Sequence, residues 1–442
     1  MSNLNPHSGI GKVDRLTVVI YLFLVVFGWL TIYSTAFHAQ HPSIFDFDVE
    51  YGKQFMWMLV SFGLALFVLY IEGTFFTKFA PVIYAFFTLL LILVLLIGKE
   101  VNGAKAWFGL GSFGIQPSEF SKVGVSLLLA KYITDSGEQF RKWKTRIVAA
   151  MIVGIPPVLI LLQPDVGSVL TFLAFIFVMY REGLSGNILI IGLGGILFGV
   201  LSIVSGAGTI DLPFVGEQSG VWLLIIIVLS IGVLSWLLVR NFVVPRNRRP
   251  LYWIIAISVV ASSVFSFSVS YIVDKVLEKH HKERIYVMLS LPVEREDAAY
   301  NSEMAKITVG SGGFIGRGFK NGPMTQNNFV PEQWTDFIFS SVAEEWGFIG
   351  SSLIIGIFAF LIIRIITIAE RQRSKFSRVY GYCVAMILFM HLLINVGMVI
   401  GLAPIIGIPL PFFSYGGSSL MGFTLLLFIL LRLDAERLNI LR

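Results

Sequence analysis

The groups able to do acid–base and ionic chemistry gather between about Asp274 and Asp336. That stretch holds Glu294, Glu296, Asp297, Lys306, Arg317, Lys320, Glu332 and Asp336, with a glycine-rich run from Gly310 to Gly318. The rest of the chain is mostly apolar runs. A chain that places its charges in one segment outside the apolar runs has placed its chemistry there, and the side that segment faces limits what the chemistry can be.

Composition sets the frame. The chain has 442 residues, 56% hydrophobic and 14% charged, with mean hydropathy +0.82. Soluble domains carry about 25% charged residues, so a polytopic membrane protein is the reading that fits. The net charge of +6 is spread over short loops, a topology signal rather than a nucleic-acid patch. The single cysteine, Cys383, lies in an apolar run and leaves no intramolecular disulfide. No cleavable signal peptide is expected, because the first apolar run is long and lacks a small-residue cleavage site.

A span needs about 20 apolar residues. That criterion marks about twelve, near 15–36, 54–72, 77–98, 117–134, 146–162, 166–182, 186–205, 221–239, 251–272, 337–364, 379–401 and 412–431. Pro164 separates the nearly fused fifth and sixth, and Pro156-Pro157 is expected to kink the fifth. With the N-terminus inside, the cytoplasmic loops hold Arg141, Lys142, Lys144 and Arg146, then Arg240, Arg246, Arg248 and Arg249, then Arg371, Arg373, Lys375 and Arg378. The loop at 206–220 has no Lys or Arg. By the positive-inside rule both termini are cytoplasmic and the 274–336 segment is extracytoplasmic.

That phase sends further polar groups to the same leaflet. Gln116-Pro117-Ser118-Glu119 opens the fourth span, and proline at the first helical position followed by an acid is an ordinary helix start. Capping accounts for Glu119 but not for Lys122, three residues on and on the same face, where an unpaired lysine is costly. Asp165 opens the sixth span and reads as an N-cap. A cluster of Glu119, Lys122 and Asp165 would satisfy all three, either as a structural unit or as a cavity wall. Pro331 to Asp336 precede the tenth span, and Glu344-Glu345 sit about two turns inside it. The last outer loop, Gly407 to Ser419, contains Pro409, Pro411 and Ser414. It is either non-helical backbone buried at membrane depth or a tight interhelical turn.

At these residues the chain resembles the SEDS family of cell-wall proteins, the RodA/FtsW group, with wording closer to RodA. The matching stretches are Asn102-Gly103-Ala104-Lys105-Ala106-Trp107-Phe108, Gln116 to Lys122, Gln163-Pro164-Asp165-Val166-Gly167-Ser168, Lys306 to Gly313, Phe329 to Phe337, Ala343-Glu344-Glu345-Trp346-Gly347 and Pro409 to Gly417. They occur in family order over about residues 15–435. The resemblance implies an all-α polytopic bundle with a large extracytoplasmic loop. It also implies a peptidoglycan glycosyltransferase that polymerises lipid II outside the cytoplasmic membrane during cell elongation and shape maintenance. Undecaprenyl pyrophosphate would leave, and a class B penicillin-binding protein would supply the transpeptidase. Two departures stand out. The family core has ten spans, so a pair is expected to be inserted within 186–272. The loop text Glu294-Arg295-Glu296-Asp297-Ala298-Ala299-Tyr300 lacks the family's glycines, so its catalytic aspartate maps to Asp297, with Glu294 and Glu296 as alternatives.

The chemistry of the residues agrees with that implication. A site outside the cytoplasm has no nucleotide supply, so the donor must arrive activated. Asp297 would deprotonate the acceptor hydroxyl and the anomeric carbon would invert. Lys105, Lys306, Arg317 and Lys320 would neutralise the diphosphate, as would Mg²⁺ or Mn²⁺ held by carboxylate and diphosphate. The glycine run would offer N–H groups to phosphate or act as a hinge. No organic cofactor and no nucleic-acid partner are expected. Rival readings are a lipid-linked-sugar flippase, whose site would lie at the midplane between repeats, and a scaffold for the transpeptidase. No internal repeat is visible, and the charges favour one leaflet. His280-His281, flanked by Lys279, Lys282 and Arg284, read as a solvated amphipathic stretch rather than a metal site.

Overall fold

The computed structural model describes residues 12–37, 43–44, 46–101, 104–110, 113–137, 142–212, 216–276, 282, 286, 289, 291 and 296–438. The fold is helical, as expected, and divides into two compact units. One is Met1–Leu184 with Asn301–Arg442, the other Ser185–Tyr300.

In the first unit, helices α1 (Arg15–Thr35), α2 (Glu50–Tyr70) and α3 (Gly73–Ile97) lead to a small antiparallel sheet. Its strands are β1 (Lys99–Val101), β2 (Ala104–Leu110) and β3 (Phe113–Ile115), in that order, with Phe108 opposite Ile115. Then come α4 (Pro117–Ser136), α5 (Trp143–Leu161), α6 (Val166–Thr171) and α7 (Ala174–Arg181). The second unit holds α8 (Gly186–Gly206), a hairpin of β4 (Thr209–Leu212) and β5 (Gly216–Ser219), α9 (Val221–Phe242) and α10 (Pro245–Tyr271). A π turn, Ile272–Val276, extends α10. Helix α11 (Glu296–Ser311) starts in the second unit and ends in the first. The first unit closes with α12 (Pro323–Gln326), α13 (Ile338–Glu370), α14 (Lys375–Val399) and α15 (Gly417–Ala435).

Each of the twelve expected spans has a helical counterpart, but only ten helices among the described residues are long and apolar enough to cross a membrane. The other two have physical reasons to fall short. Helix α4 carries Glu119, Lys122, Lys131 and Asp135. The span near 166–182 is broken into α6 and α7 at Phe172-Leu173. The segment from about Asp274 is not all loop, since it includes α11 and α12.

Helices α14 and α15 form the centre of the first unit, with 72% and 89% of their apolar windows buried, whereas α8, α9 and α10 bury 6%, 11% and 6%. Between apolar helices in a bilayer, close backbone approach and polar contacts decide packing. A Cβ on Gly422 of α15 would lie 3.1 Å from the Glu119 carbonyl oxygen, so α15 presses directly on the first turn of α4. Tyr21 of α1 is wholly buried, bonds Thr424 of α15 at 3.0 Å and meets Phe412 and Phe428 edge-on.

One end of this unit is tied by ions. Asp14 caps α1 by accepting from Thr17 N at 3.1 Å and Thr17 Oγ1 at 2.8 Å, and takes Arg364 Nη2 at 2.6 Å. The buried Asp434 takes Arg371, Gln372 Nε2 at 2.8 Å and Arg437 Nη1 at 2.9 Å. Burial pushes the Asp14 carboxyl up, but the bonds from Arg364 and Thr17 outweigh it and bring it from 3.8 down to about 2.

Candidate functional site

At the opposite end, the helix starts named in the sequence converge. Pro117 begins α4 after the N-cap Gln116. Gln116 N donates to Ser418 Oγ at 3.0 Å, and its side chain donates to Asp165 at 3.0 Å. Asp165 caps α6, accepting from Ser168 N at 3.0 Å and Ser168 Oγ at 2.7 Å. One residue, Gln116, therefore joins the starts of α4, α6 and α15.

Lys122 is 1% exposed and Glu119 3% exposed. The ammonium lies 2.9 and 3.0 Å from the two Glu119 oxygens, and its third contact is His391 Nε2 at 2.9 Å. The expected triad of Glu119, Lys122 and Asp165 is thus corrected. His391 completes the lysine's shell, because the Asp165 oxygens already serve its cap and Gln116. A buried charge needs such saturation, since an uncompensated one costs several kcal/mol.

The second cluster surrounds Glu344 and Glu345, both buried. Glu344 accepts from Ser311 Oγ at 2.9 Å, Met324 N at 2.9 Å, Thr325 N at 2.8 Å and Thr325 Oγ1 at 2.5 Å. Glu345 accepts from Ser34 Oγ and from Lys320 N at 3.1 Å. Just beyond them α13 is interrupted at Gly347, whose φ of 66° and ψ of −165° suit glycine alone. The interruption frees backbone groups that the glycine run takes up. Arg317 N and Gly318 N donate to the Glu344 and Glu345 carbonyls at 2.9 Å each, and Phe348 N donates to Gly313 O at 3.0 Å. Gly316 N is turned back to Gly312 O at 2.9 Å. These amides are committed within the protein, so the run straps the loop to α13.

The third element is the segment between α14 and α15. It is non-helical over 407–416, as its prolines and glycines indicate. Ser414 Oγ donates to Thr335 O at 2.6 Å and accepts from Leu410 N at 2.8 Å. Tyr415 N donates to Trp334 O at 2.9 Å, and Asn395 Nδ2 donates to Asp336 O at 2.8 Å and Ile408 O at 2.6 Å. The loop before α13 and the loop before α15 are therefore one hydrogen-bonded wall.

The remaining expected residues are placed as follows. Lys105 on β2 donates to Leu96 O at 3.2 Å. Lys306, on α11, is exposed beside Gly401. Arg317 is exposed, with Nε on Ser311 O at 2.8 Å. The Lys320 ammonium sits on the Phe37 ring at 3.1 Å and near Tyr33 at 4.9 Å, a cation–π box. Glu332 is exposed with φ 53°, bonded to Thr335 Oγ1 at 3.2 Å. Asp336 is half-buried against Gly407. Glu296 and Asp297 are the first two residues of α11, while Glu294, His280 and His281 lie outside the described residues.

Sequence reasoning missed His391, Asn395, Gln333 and Ser34. A signal existed for the first: a histidine inside the apolar run Leu388-Phe389-Met390-His391-Leu392-Leu393 is an ionisable group at membrane depth. Among the described residues, the buried acceptors Glu345 Oε2, Asn395 Oδ1, Gln163 Oε1 and Gln333 Oε1 have no donor.

The chain matches the sequence model of the FtsW/RodA/SpoVE family, described as "Cell cycle protein", over residues 14–211 and 221–439. It is 31% identical to the peptidoglycan glycosyltransferase RodA of Treponema pallidum (strain Nichols), over 97% of this chain and 99% of that protein. It is 28% identical to the peptidoglycan glycosyltransferase MrdB of Escherichia coli (strain K12), over 92% and 90%. Two solved structures share its fold. One is a chain from work on structural coordination of polymerization and crosslinking by a peptidoglycan synthase complex, with TM-score 0.65, 24% identity and coverage of 96% and 98%. The other is the rod shape determining protein RodA of Thermus thermophilus, with TM-score 0.59, 22% identity and coverage of 96% and 97%.

Proposed function

The chain belongs to the FtsW/RodA/SpoVE family, and from that premise we propose that it is a peptidoglycan glycosyltransferase that polymerises lipid II into glycan strands at the outer face of the cytoplasmic membrane. The observation that carries this reading is the end-to-end likeness to relatives named as peptidoglycan glycosyltransferases. The polar network joining the starts of α4, α6, α13 and α15 supports it, because it supplies a fixed polar wall at one end of the bundle.

In the reaction, Asp297 takes the proton of the acceptor sugar hydroxyl, the hydroxyl oxygen attacks the anomeric carbon of the donor, and the bond to undecaprenyl pyrophosphate breaks with inversion. Lys105, Lys306 and Arg317 are the cations nearest in role to the departing diphosphate. Lys320 acts less directly, since its ammonium rests on Phe37 and its amide holds Glu345. A Mg²⁺ or Mn²⁺ ion would enter on the diphosphate oxygens. Among the described residues, no group of three or more His, Cys, Asp or Glu would hold one alone.

The charge pattern of the loops supports a reading with the termini inside and this wall outside. A class B penicillin-binding protein is the partner of choice, because a similarly folded chain comes from a synthase complex that couples polymerization to crosslinking. The test is lipid II polymerisation by the purified chain, alone and with its class B penicillin-binding protein. Glycan strands are expected. A folded chain that makes none in either setting would return the flippase and scaffold readings.

A further inference from the structure

His391 is 1% exposed, lies on the central helix α14, and touches two parts of the site at once. Its Nε2 is 2.9 Å from Lys122 Nζ, and its Nδ1 is 3.1 Å from the Pro409 carbonyl oxygen. A carbonyl only accepts, so the ring proton belongs on Nδ1, and Nε2 then presents its lone pair to a lysine N–H. A doubly protonated ring would place a second cation 2.9 Å from the ammonium inside the bundle, with only Glu119 to answer both. Among the described residues, the charged group in contact with the ring is Lys122 of α4, which is in turn paired with Glu119. From α15 it meets the edge of Phe423 at 4.7 Å, over which the ammonium also lies at 5.1 Å.

The second contact gives the ring its reach. Pro409 lies in the loop that Ser414 ties to Thr335, and one turn along α14 Asn395 holds the neighbouring carbonyl of Ile408. His391 and Asn395, four residues apart on one helix face, clamp consecutive loop carbonyls. Of the two, only His391 also reaches Lys122.

We propose that His391 is a positioning residue for glycosyl transfer: neutral and protonated on Nδ1, it locks the Lys122 ammonium with one nitrogen and seats the Pro409 loop with the other. The intramembrane ion pair and the loop wall at 407–416 are thereby held in one geometry. The assignment rests on the glycosyltransferase reading, and its test separates the two.

The experiment uses the full chain in lipid nanodiscs with His391→Gln, His391→Asn and His391→Phe. The glutamine amide oxygen reaches the Nε2 position and can accept from Lys122. The asparagine amide reaches only the Nδ1 position, so it keeps the Pro409 bond and strands the lysine's third N–H. Expected for His391→Asn and His391→Phe is a fall in kcat of about tenfold or more, a tenfold change being about 1.4 kcal/mol, with KM for lipid II little changed. Expected for His391→Gln is partial recovery, above His391→Asn and His391→Phe but below wild type, because it restores the bond to Lys122 and loses the bond to Pro409. Equal activity in all variants would overturn the assignment. So would equal losses that track a fall in Tm, because those would mark simple packing. Solid-state ¹⁵N spectra of histidine-labelled wild type, read without turnover, should show one buried ring with Nδ1–H and bare Nε2 at both pH 6 and pH 8. A bare Nδ1 or a doubly protonated ring would overturn it as well. Wild type that makes no strands but shows the Nδ1–H ring would sink the glycosyltransferase reading and leave the ring's structural assignment standing.

Discussion

Glu119 and Lys122 show how far single residues can be read. Their i,i+3 spacing on an apolar helix announces an ion pair, because neither charge is tolerable alone at that depth. The third partner was not legible: His391 is 269 positions away in sequence, and no local rule links them. Asp165 was expected there and is instead occupied by Gln116 and Ser168. Lys122→Met leaves Glu119 buried and unpaired, so unfolding in detergent should move down by about 3–5 kcal/mol. Adding Glu119→Gln should recover part of that loss, since the orphaned charge goes with it. At the other end of the unit, Asp14 gives a signed pH effect. Its folded value, about 2, lies below its ordinary 3.8, so the stabilisation is complete above about pH 4 and fades as pH falls toward 2. Wild type should exceed Asp14→Asn by about 1 kcal/mol near pH 6, less than the full shift because the pair is partly screened by solvent, with the gap closing by pH 2 in denaturant titrations.

The segment that closes α11 and leads to α12 is where local sequence was most ambiguous. The run Gly310 to Gly318 reads equally as an anion nest or as a hinge, since glycine permits both. The structure resolves it as a strap, because the partner is the break at Gly347 in another segment, and the amides of Arg317 and Gly318 go to the carbonyls of Glu344 and Glu345. The carboxylate of Glu344 then holds Met324 and Thr325 in place. Gly347→Ala should cost about 1–3 kcal/mol from the left-handed backbone alone. It should also raise hydrogen exchange across 312–326 while leaving α14 and α15 protected. Unchanged exchange there would mean the strap does not depend on the break. The non-helical backbone of 407–416, by contrast, was one of the two readings that its prolines and glycines left open, although the last span was expected to begin at 412 and begins at Gly417.

For the whole molecule, hydropathy alone placed a helix at each expected span, with ends off by up to about six residues, and it was the charges inside α4 and the break between α6 and α7 that reduced twelve expected spans to ten plainly apolar ones. The proposed orientation, argued from loop charge, has its own check. Cys383 is fully buried, so a single added thiol reports cleanly. Ser219→Cys should react with an impermeant maleimide on intact cells lacking their outer barrier, and Asn247→Cys only after permeabilisation. The reverse pattern would invert the topology and put the polar wall inside. The role of Asp297 is the point at which sequence gave alternatives and which the whole reading needs most. The decisive measurement is therefore the rate of lipid II polymerisation by Asp297→Asn beside Glu294→Gln and Glu296→Gln, each shown to be folded and bound to the class B penicillin-binding protein. Loss of strands in Asp297→Asn, with the other two active, is the expected result. Wild-type rates from Asp297→Asn would contradict its role as the base.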